Sequence, residues 1–367
     1  MRHSLYWRGV PPLRIVRLTE PNYSFMREKI KIVTQPEQLQ EGLFGQVFLY
    51  LFELLPYLDQ HCLQPDWAVC SKLYGVPEDY VVIPGLIETN YEIPVGDYRE
   101  VNLKELRHGN LVAMGNDWDY CAALWAKYFR WPDRVCRQTE EYPSLNRALG
   151  LHYRGTDKNR FQLDTNCVSH DDFLRLVRDF VEVHPDIDTI FVATDEDAFT
   201  EKVRAQHRHL PVISSGVVRH HKDGAVENNF SKGDHALLDC LLLSRCKYLV
   251  KCQSALSGFA KILNPKLEAY RVAANKLAWW TWGIPYFPDA YIPKLTSRDP
   301  ECQKILARLF LGDWTEDKIA MRKFGGQFKF KARKSYTDRF PRDISLLSLD
   351  GLRMHLDKRI DWLLSRF

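Results

Sequence analysis

Between residues 147 and 270 the apolar positions switch repeatedly between two periods. Residues 148–153 (Ala-Leu-Gly-Leu-His-Tyr) form a short apolar run of strand length. Ser169 then opens a helix, with Asp171 and Asp172 in the first turn, where carboxylates suit the positive end of the helix dipole. Phe173, Leu176, Val177, Phe180 and Val181 recur at i, i+3, i+4, i+7 and i+8, one buried helical face. Residues 189–194 (Thr-Ile-Phe-Val-Ala-Thr) are apolar and β-branched, a second strand, with Asp195-Glu196-Asp197 at its carboxyl end. A third strand is predicted over 211–215, a leucine-rich helix over 236–243, a fourth strand over 248–251 and a fourth helix over 254–263. Strands alternating with helices of this length imply parallel βαβ units.

The amino-terminal part reads as a second α/β unit. Residues 29–34 alternate as a strand does, and Gly42 and Gly45 precede an amphipathic helix over 47–58. That run is too short for a bilayer, and Glu53 and Pro56 interrupt it. Strands are predicted over 67–70 and 111–114, and a helix over 120–129. A chain of 367 residues is expected to split into domains. The charged stretch 132–143, bracketed by prolines, marks the boundary.

Composition excludes more than it assigns. A net charge of +4 implies no nucleic-acid partner, and 45% hydrophobic residues support a folded core. Nine cysteines are scattered without Cys-x-x-Cys or zinc-type spacing, so free thiols in a reducing, cytoplasmic setting are expected. No apolar segment near Met1 resembles a signal peptide. The sequons at Asn22 and Asn229 are expected to stay unmodified.

The chemistry concentrates after the strand 148–153. His152, Arg154, Thr156, Asp157 and Lys158 offer an imidazole, a guanidinium, a hydroxyl, a carboxylate and an ammonium. Loops at the carboxyl ends of strands are where open α/β sheets bind ligands. Arg can fork onto diphosphate oxygens while Lys supplies a point charge. Asp239 stands in an otherwise apolar helix and must find a donor: a backbone amide, Arg245, or the paired N–H groups of a guanine edge. Ser254 falls at the first turn of the last helix, where it either caps that helix or helps hold a phosphate.

Three segments together carry a family resemblance: His152 through Lys158, Phe191 through Glu196, and Leu238-Asp239 through Arg245 to Gln253-Ser254. They resemble the three peptide motifs shared by α1,6-fucosyltransferases, the rhizobial nodulation fucosyltransferase NodZ and protein O-fucosyltransferases. The resemblance covers about residues 147–265. It implies an α/β, GT-B-like fold of two Rossmann-type domains facing a cleft, with the donor site in the carboxyl-terminal one. Residues 1–140 would be the acceptor-side domain, 141–290 the nucleotide-sugar domain and 291–367 a tail. It implies an inverting, metal-independent transfer of fucose from GDP-fucose to a glycan acceptor, with no cofactor. His152 and Asp239 would hold the guanine, Arg154 the β-phosphate, Ser254 the diphosphate, and Asp157, Lys158 and Asp195 the active centre. The chain departs from the family at Gly155, where a second Arg is expected, at Gln162, where a carboxylate is expected, and at Ala255, where a second Ser is common.

Other readings compete. Asp186-Ile187-Asp188 lies at the wrong end of its strand for a metal site, and in Asp195-Glu196-Asp197 the last Asp is expected to start a helix. A phosphate-cradling Gly-x-x-x-x-Gly-Lys-Ser/Thr loop is absent, which disfavours a kinase. Another GDP-sugar as donor, or a non-catalytic nucleotide-binding module, remains an alternative. Trp118, Trp125 and Trp131 read as core, whereas Trp279, Trp280 and Trp282 could meet an acceptor or lie between domains. The basic aromatic stretch 322–334 reads as an edge strand or as a peripheral contact with anionic lipid or a polyanionic glycan, ahead of an amphipathic helix over 352–367.

Overall fold

The computed structural model describes residues 29–34, 43–60, 62–71, 73–74, 81–93, 96–102, 117–155, 168–216, 229–272 and 292–309. The amino-terminal half begins with β1 (Ile30–Val33), in which buried Ile30 and Ile32 alternate with half-buried neighbours. A wide π-type turn over Leu43–Phe48 runs into α1 (Leu49–Gln60), which continues through Pro56. Then come β2 (Asp66–Cys70), β3 (Val81–Ile83), β4 (Glu88–Thr89) and β5 (Arg99–Asn102). The helix α2 (Trp118–Tyr128) is capped by Asp117, whose side chain accepts from the Tyr120 amide, and it buries Cys121, Leu124, Trp125 and Tyr128. β6 (Phe129–Arg130) and α3 (Asp133–Glu140) close this half, so the stretch expected to hold the boundary contains a helix. The sheet order is β3-β2-β1-β5, with β1 parallel to both neighbours and β3 an antiparallel edge.

The carboxyl-terminal half follows the expected alternation: β7 (Ala148–Tyr153), α4 (His170–Val183), β8 (Thr189–Thr194), α5 (Asp197–Gln206), β9 (Val212–Ser214), α6 (Asn229–Arg245), β10 (Tyr248–Lys251), α7 (Ala255–Leu263), β11 (Glu268–Arg271) and α8 (Pro300–Leu309). Ser169 caps α4, accepting from the Asp172 amide at 3.1 Å. The five strands are parallel in the order β11-β10-β7-β8-β9. One face, with Leu151, Val192 and Val250, packs on α4, α5 and α8. The other, with Ala148, Phe191, Ala193 and Leu249, packs on α6 and α7. The chain therefore leaves neighbouring strands β7 and β10 in opposite directions, which makes a topological switch point between them.

Helix α6 starts seven residues before the expected position 236, because tertiary contacts override a polar stretch. A Cβ on Gly233 would lie 2.6 Å from Leu86, so only glycine allows this approach to the amino-terminal half without displacement. Arg134 on α3 forks onto Asp234 of α6 at 2.8 and 2.9 Å and donates to the Gly85 carbonyl at 3.0 Å. Phe259 of α7 packs on Phe44, Phe48, Phe52 and Trp125. One continuous apolar core thus joins the two sheets. Trp125 is buried there, and Trp118 and Trp131 pack against it, as expected. The strand expected over 111–114, Trp279, Trp280 and Trp282, the basic stretch 322–334 and the helix expected over 352–367 lie outside the described residues.

Candidate functional site

The switch point is lined by a polar layer in an otherwise apolar sheet. His152 pairs in register with Lys251, and Lys251 with Arg271, on adjacent parallel strands, so the three side chains leave the same face. Lys251 and Arg271 are fully buried and His152 nearly so. His152 Nδ1 lies 2.6 Å from Ser257 Oγ on α7. Burial, then the nearby Lys251 and Arg154 charges, hold the His152 pKa well below the usual imidazole value, so the ring is neutral. Lys251 and Arg271 were not singled out from sequence. The available signal was a cation ending each of two short strands.

The loop after β7 is pinned to the end of β8. Gly155 N donates to Asp195 Oδ1 at 3.1 Å, and Asp195 is buried. Half-buried Arg154 precedes it, next to His152 in charge. The neighbouring Glu196 is held at 2.5 Å by His170 Nε2, the first residue of α4. His170 packs edge-on against Tyr153 and Phe199. A Cβ on Gly155 would lie 2.2 Å from Glu196 Oε1 and 2.9 Å from Tyr153 Cε1. The departure at Gly155 thus has a local reason: a carboxylate fills the space beside it. Asp157, Lys158 and Gln162 lie outside the described residues.

Asp239 is buried on α6 and takes neither a backbone amide nor Arg245 as its described partner. The Ser215 hydroxyl, just past β9, donates to Oδ1, and His235 Nε2 stands 3.8 Å from Oδ2. Arg245 instead donates to the Thr139 carbonyl at 2.8 Å. The physical reason is helical geometry: His235 lies one turn before Asp239 on the same face, whereas Arg245 is on the last turn. Burial raises the Asp239 pKa to about 6, against the opposing pull of His235 and Ser215. Neither partner was legible in sequence, because Ser215 reaches Asp239 only through the return of α6 over the sheet.

Ser254 occupies the N-cap of α7 but its hydroxyl caps nothing. It is buried, and among the described residues its Oγ has no hydrogen-bond partner. The adjacent Gln253 is buried as well, and both Oε1 and Nε2 of its carboxamide lack partners. Each such group costs about 1–3 kcal/mol when left unpaired. Native folds retain few of them, and a bound ligand is one explanation. These orphaned atoms follow β10 directly, at the switch point and beside the helix end suited to phosphate.

The acidic pairs behave as expected from their place in the sheet. Asp186 pairs with Lys247 at 2.6 Å and Asp188 with Arg147 at 3.2 Å, before β8 rather than after it. Asp197 begins α5. The described group of metal-capable side chains, Asp179, Asp299 and Cys302, is elsewhere, between α4 and α8.

No protein-family model matches the chain, and no curated protein does. Among solved structures the chain is similar to the NodZ α1,6-fucosyltransferase of Bradyrhizobium soaked with GDP-fucose, at 13% identity over 66% of this chain and 95% of that one, with a TM-score of 0.45. It is also similar to Arabidopsis thaliana FUT1 in complex with GDP, at 11% identity over 67% and 70%, TM-score 0.39. A third is POFUT1 in complex with GDP, at 14% identity over 66% and 73%, TM-score 0.33. At such identities and TM-scores the likeness alone assigns no role to any residue here.

Proposed function

We propose that the protein is a glycosyltransferase that binds a GDP-sugar at the switch point between β7 and β10 and transfers fucose to a glycan acceptor with inversion. The observation that carries this reading is the Gln253–Ser254 pair at the start of α7, unpartnered among the described residues and following β10, the strand next to the one that leads into Arg154. His152 and Asp239 would hold the base, since a carboxylate suits paired N–H groups. Arg154, Ser254 and the α7 amides would hold the diphosphate. Asp195 would orient the loop through Gly155, with Asp157 and Lys158 at the reacting centre. In the transfer an acceptor hydroxyl oxygen bonds to the anomeric carbon while the bond from that carbon to the β-phosphate oxygen breaks, its electron pair leaves with GDP, and the hydroxyl proton passes to the departing phosphate or to solvent. Charge grows on that phosphate, where a preorganised guanidinium stabilises it most. Fixed cations and a helix end would take the place of a metal. NodZ and POFUT1 have been crystallised with GDP or GDP-fucose, which agrees with this donor class.

A thermal-shift screen of nucleotide sugars tests the reading. A ligand at ~100 times its dissociation constant stabilises the native state by about 2.7 kcal/mol. GDP and GDP-fucose should raise Tm, GDP-mannose less than GDP-fucose, and UDP and CDP not at all. A larger response to UDP-sugars would end the proposal. GDP release measured with and without a glycan acceptor separates an enzyme from a nucleotide-binding module.

A further inference from the structure

Gln253 is 2% exposed, and among the described residues its carboxamide is unpartnered at both its donor and its acceptor end. A phosphate satisfies only half of that demand. Its oxygens accept from Nε2, as they would from Ser254, but they offer nothing to Oε1. The missing partner must therefore present a donor and an acceptor side by side. Position narrows the choice. Asp239 is bonded to Ser215, which follows β9, whereas Gln253 follows β10. In the order β10-β7-β8-β9 the strands that lead to Gln253 and to Ser215 stand on opposite sides of β7, which carries His152, about three strand spacings or ~14 Å apart. A base held by Asp239 and His152, with its phosphates at Ser254, would lay its ribose beside Gln253.

We infer that Gln253 is a specificity-determining residue that reads the ribose diol of the nucleotide, Oε1 accepting from one hydroxyl and Nε2 donating to the other. This rests on the nucleotide-donor reading above. A substitution at Gln253 also removes buried unpaired atoms, so an apolar replacement of similar length should raise the Tm of the ligand-free protein, since apolar replacement of unpaired polar groups is neutral or stabilising. A glutamine serving the fold alone would lower it.

The test measures binding of GDP, 2′-deoxy-GDP and 3′-deoxy-GDP by calorimetry to the full chain and to Gln253→Met, with Gln253→Leu as a second variant should the first fold poorly. The unsubstituted protein should bind GDP roughly tenfold more tightly than at least one deoxy analogue, the scale of one hydrogen bond. Gln253→Met should weaken GDP by about that factor, leave the sensitive deoxy analogue unchanged and so erase the preference. Equal binding of all three nucleotides to the unsubstituted protein overturns the inference. So does a variant that weakens all three alike, or one that affects only GDP carrying its sugar. If GDP does not bind the unsubstituted protein, the donor reading itself is wrong and this inference goes with it. If GDP binds without ribose discrimination, only the inference fails.

Discussion

Glu196 fills the space that a side chain at residue 155 would need: its Oε1 would lie 2.2 Å from a Cβ built on Gly155. His170 holds that carboxylate from the start of α4, and Asp195 holds the Gly155 amide. Two consecutive acids at the end of β8 therefore fix the backbone directly after Arg154. The aim of the guanidinium is set from β8 as well as from its own strand.

Gly155→Ala should consequently cost about 1–3 kcal/mol, the usual range for overpacking. It should lower activity more than that loss alone predicts, because the Arg154 loop shifts. Adding Glu196→Ala frees the space and should recover part of the Tm. Urea denaturation of the single and double variants reads both effects. Full additivity of the two substitutions would argue against the contact.

Arg154→Lys keeps the charge but loses the planar fork, so it is not conservative. Turnover should fall ~10²–10³-fold, the scale for losing one preorganised donor. GDP affinity, followed by calorimetry, should weaken far less. Near-full activity would show that the loop after β7 is not the reacting loop.

Nucleotide binding should depend on pH through Asp239. Its pKa in the fold, about 6, is above the ordinary 3.8. Between those values the folded protein keeps a proton that the unfolded chain has released, so this group's contribution to stability falls as pH rises from 3.8 to about 6. Binding has the opposite slope, since paired N–H donors need the carboxylate. GDP affinity should drop roughly tenfold per pH unit below about 6 and be flat above 7. Burial and the nearby Lys251 and Arg154 charges hold the His152 pKa well below the usual imidazole value. Asp239→Asn should flatten the profile and lose the preference for GDP over UDP. A retained acid limb in that variant, with its circular dichroism unchanged, would assign the titration to another group.

Turnover should persist in EDTA, because Arg154, Lys158 and the α7 end supply positive charge. Restoration of an EDTA-killed activity by Mn²⁺ would move the chemistry to Asp195 and Asp197.

The strands β7, β8 and β10 and the helix α4 were legible to the residue or nearly so. Their apolar runs are short, bounded by polar residues and of a single period. The start of α6 was not legible, since Asn229 to His235 is polar apart from Phe230 and contains Gly233. It is helical because that face meets Leu86 and Asp234 meets Arg134. Of the site residues, His152, Asp195, Asp239 and Ser254 are all at the carboxyl ends of strands or on helices beside them. Of their partners, His235 is one turn from Asp239 but falls just before the expected helix start at 236, whereas Ser257, Ser215 and the layer of Lys251 and Arg271 meet their partners only across different strands and helices.

The order of elements, the parallel character of the second sheet and the types of charge at its carboxyl end follow from local pattern alone, since periodicity and turn chemistry act over a few residues. Which charges meet does not. Register across β11-β10-β7 decides that Arg271, Lys251 and His152 share one buried face, and the crossing of α6 decides that Asp239 finds Ser215. Packing likewise decides that Gln253 is buried with its carboxamide unpaired among the described residues. Those relations depend on distance in space between segments far apart in sequence, so they exist only once the sheet is assembled.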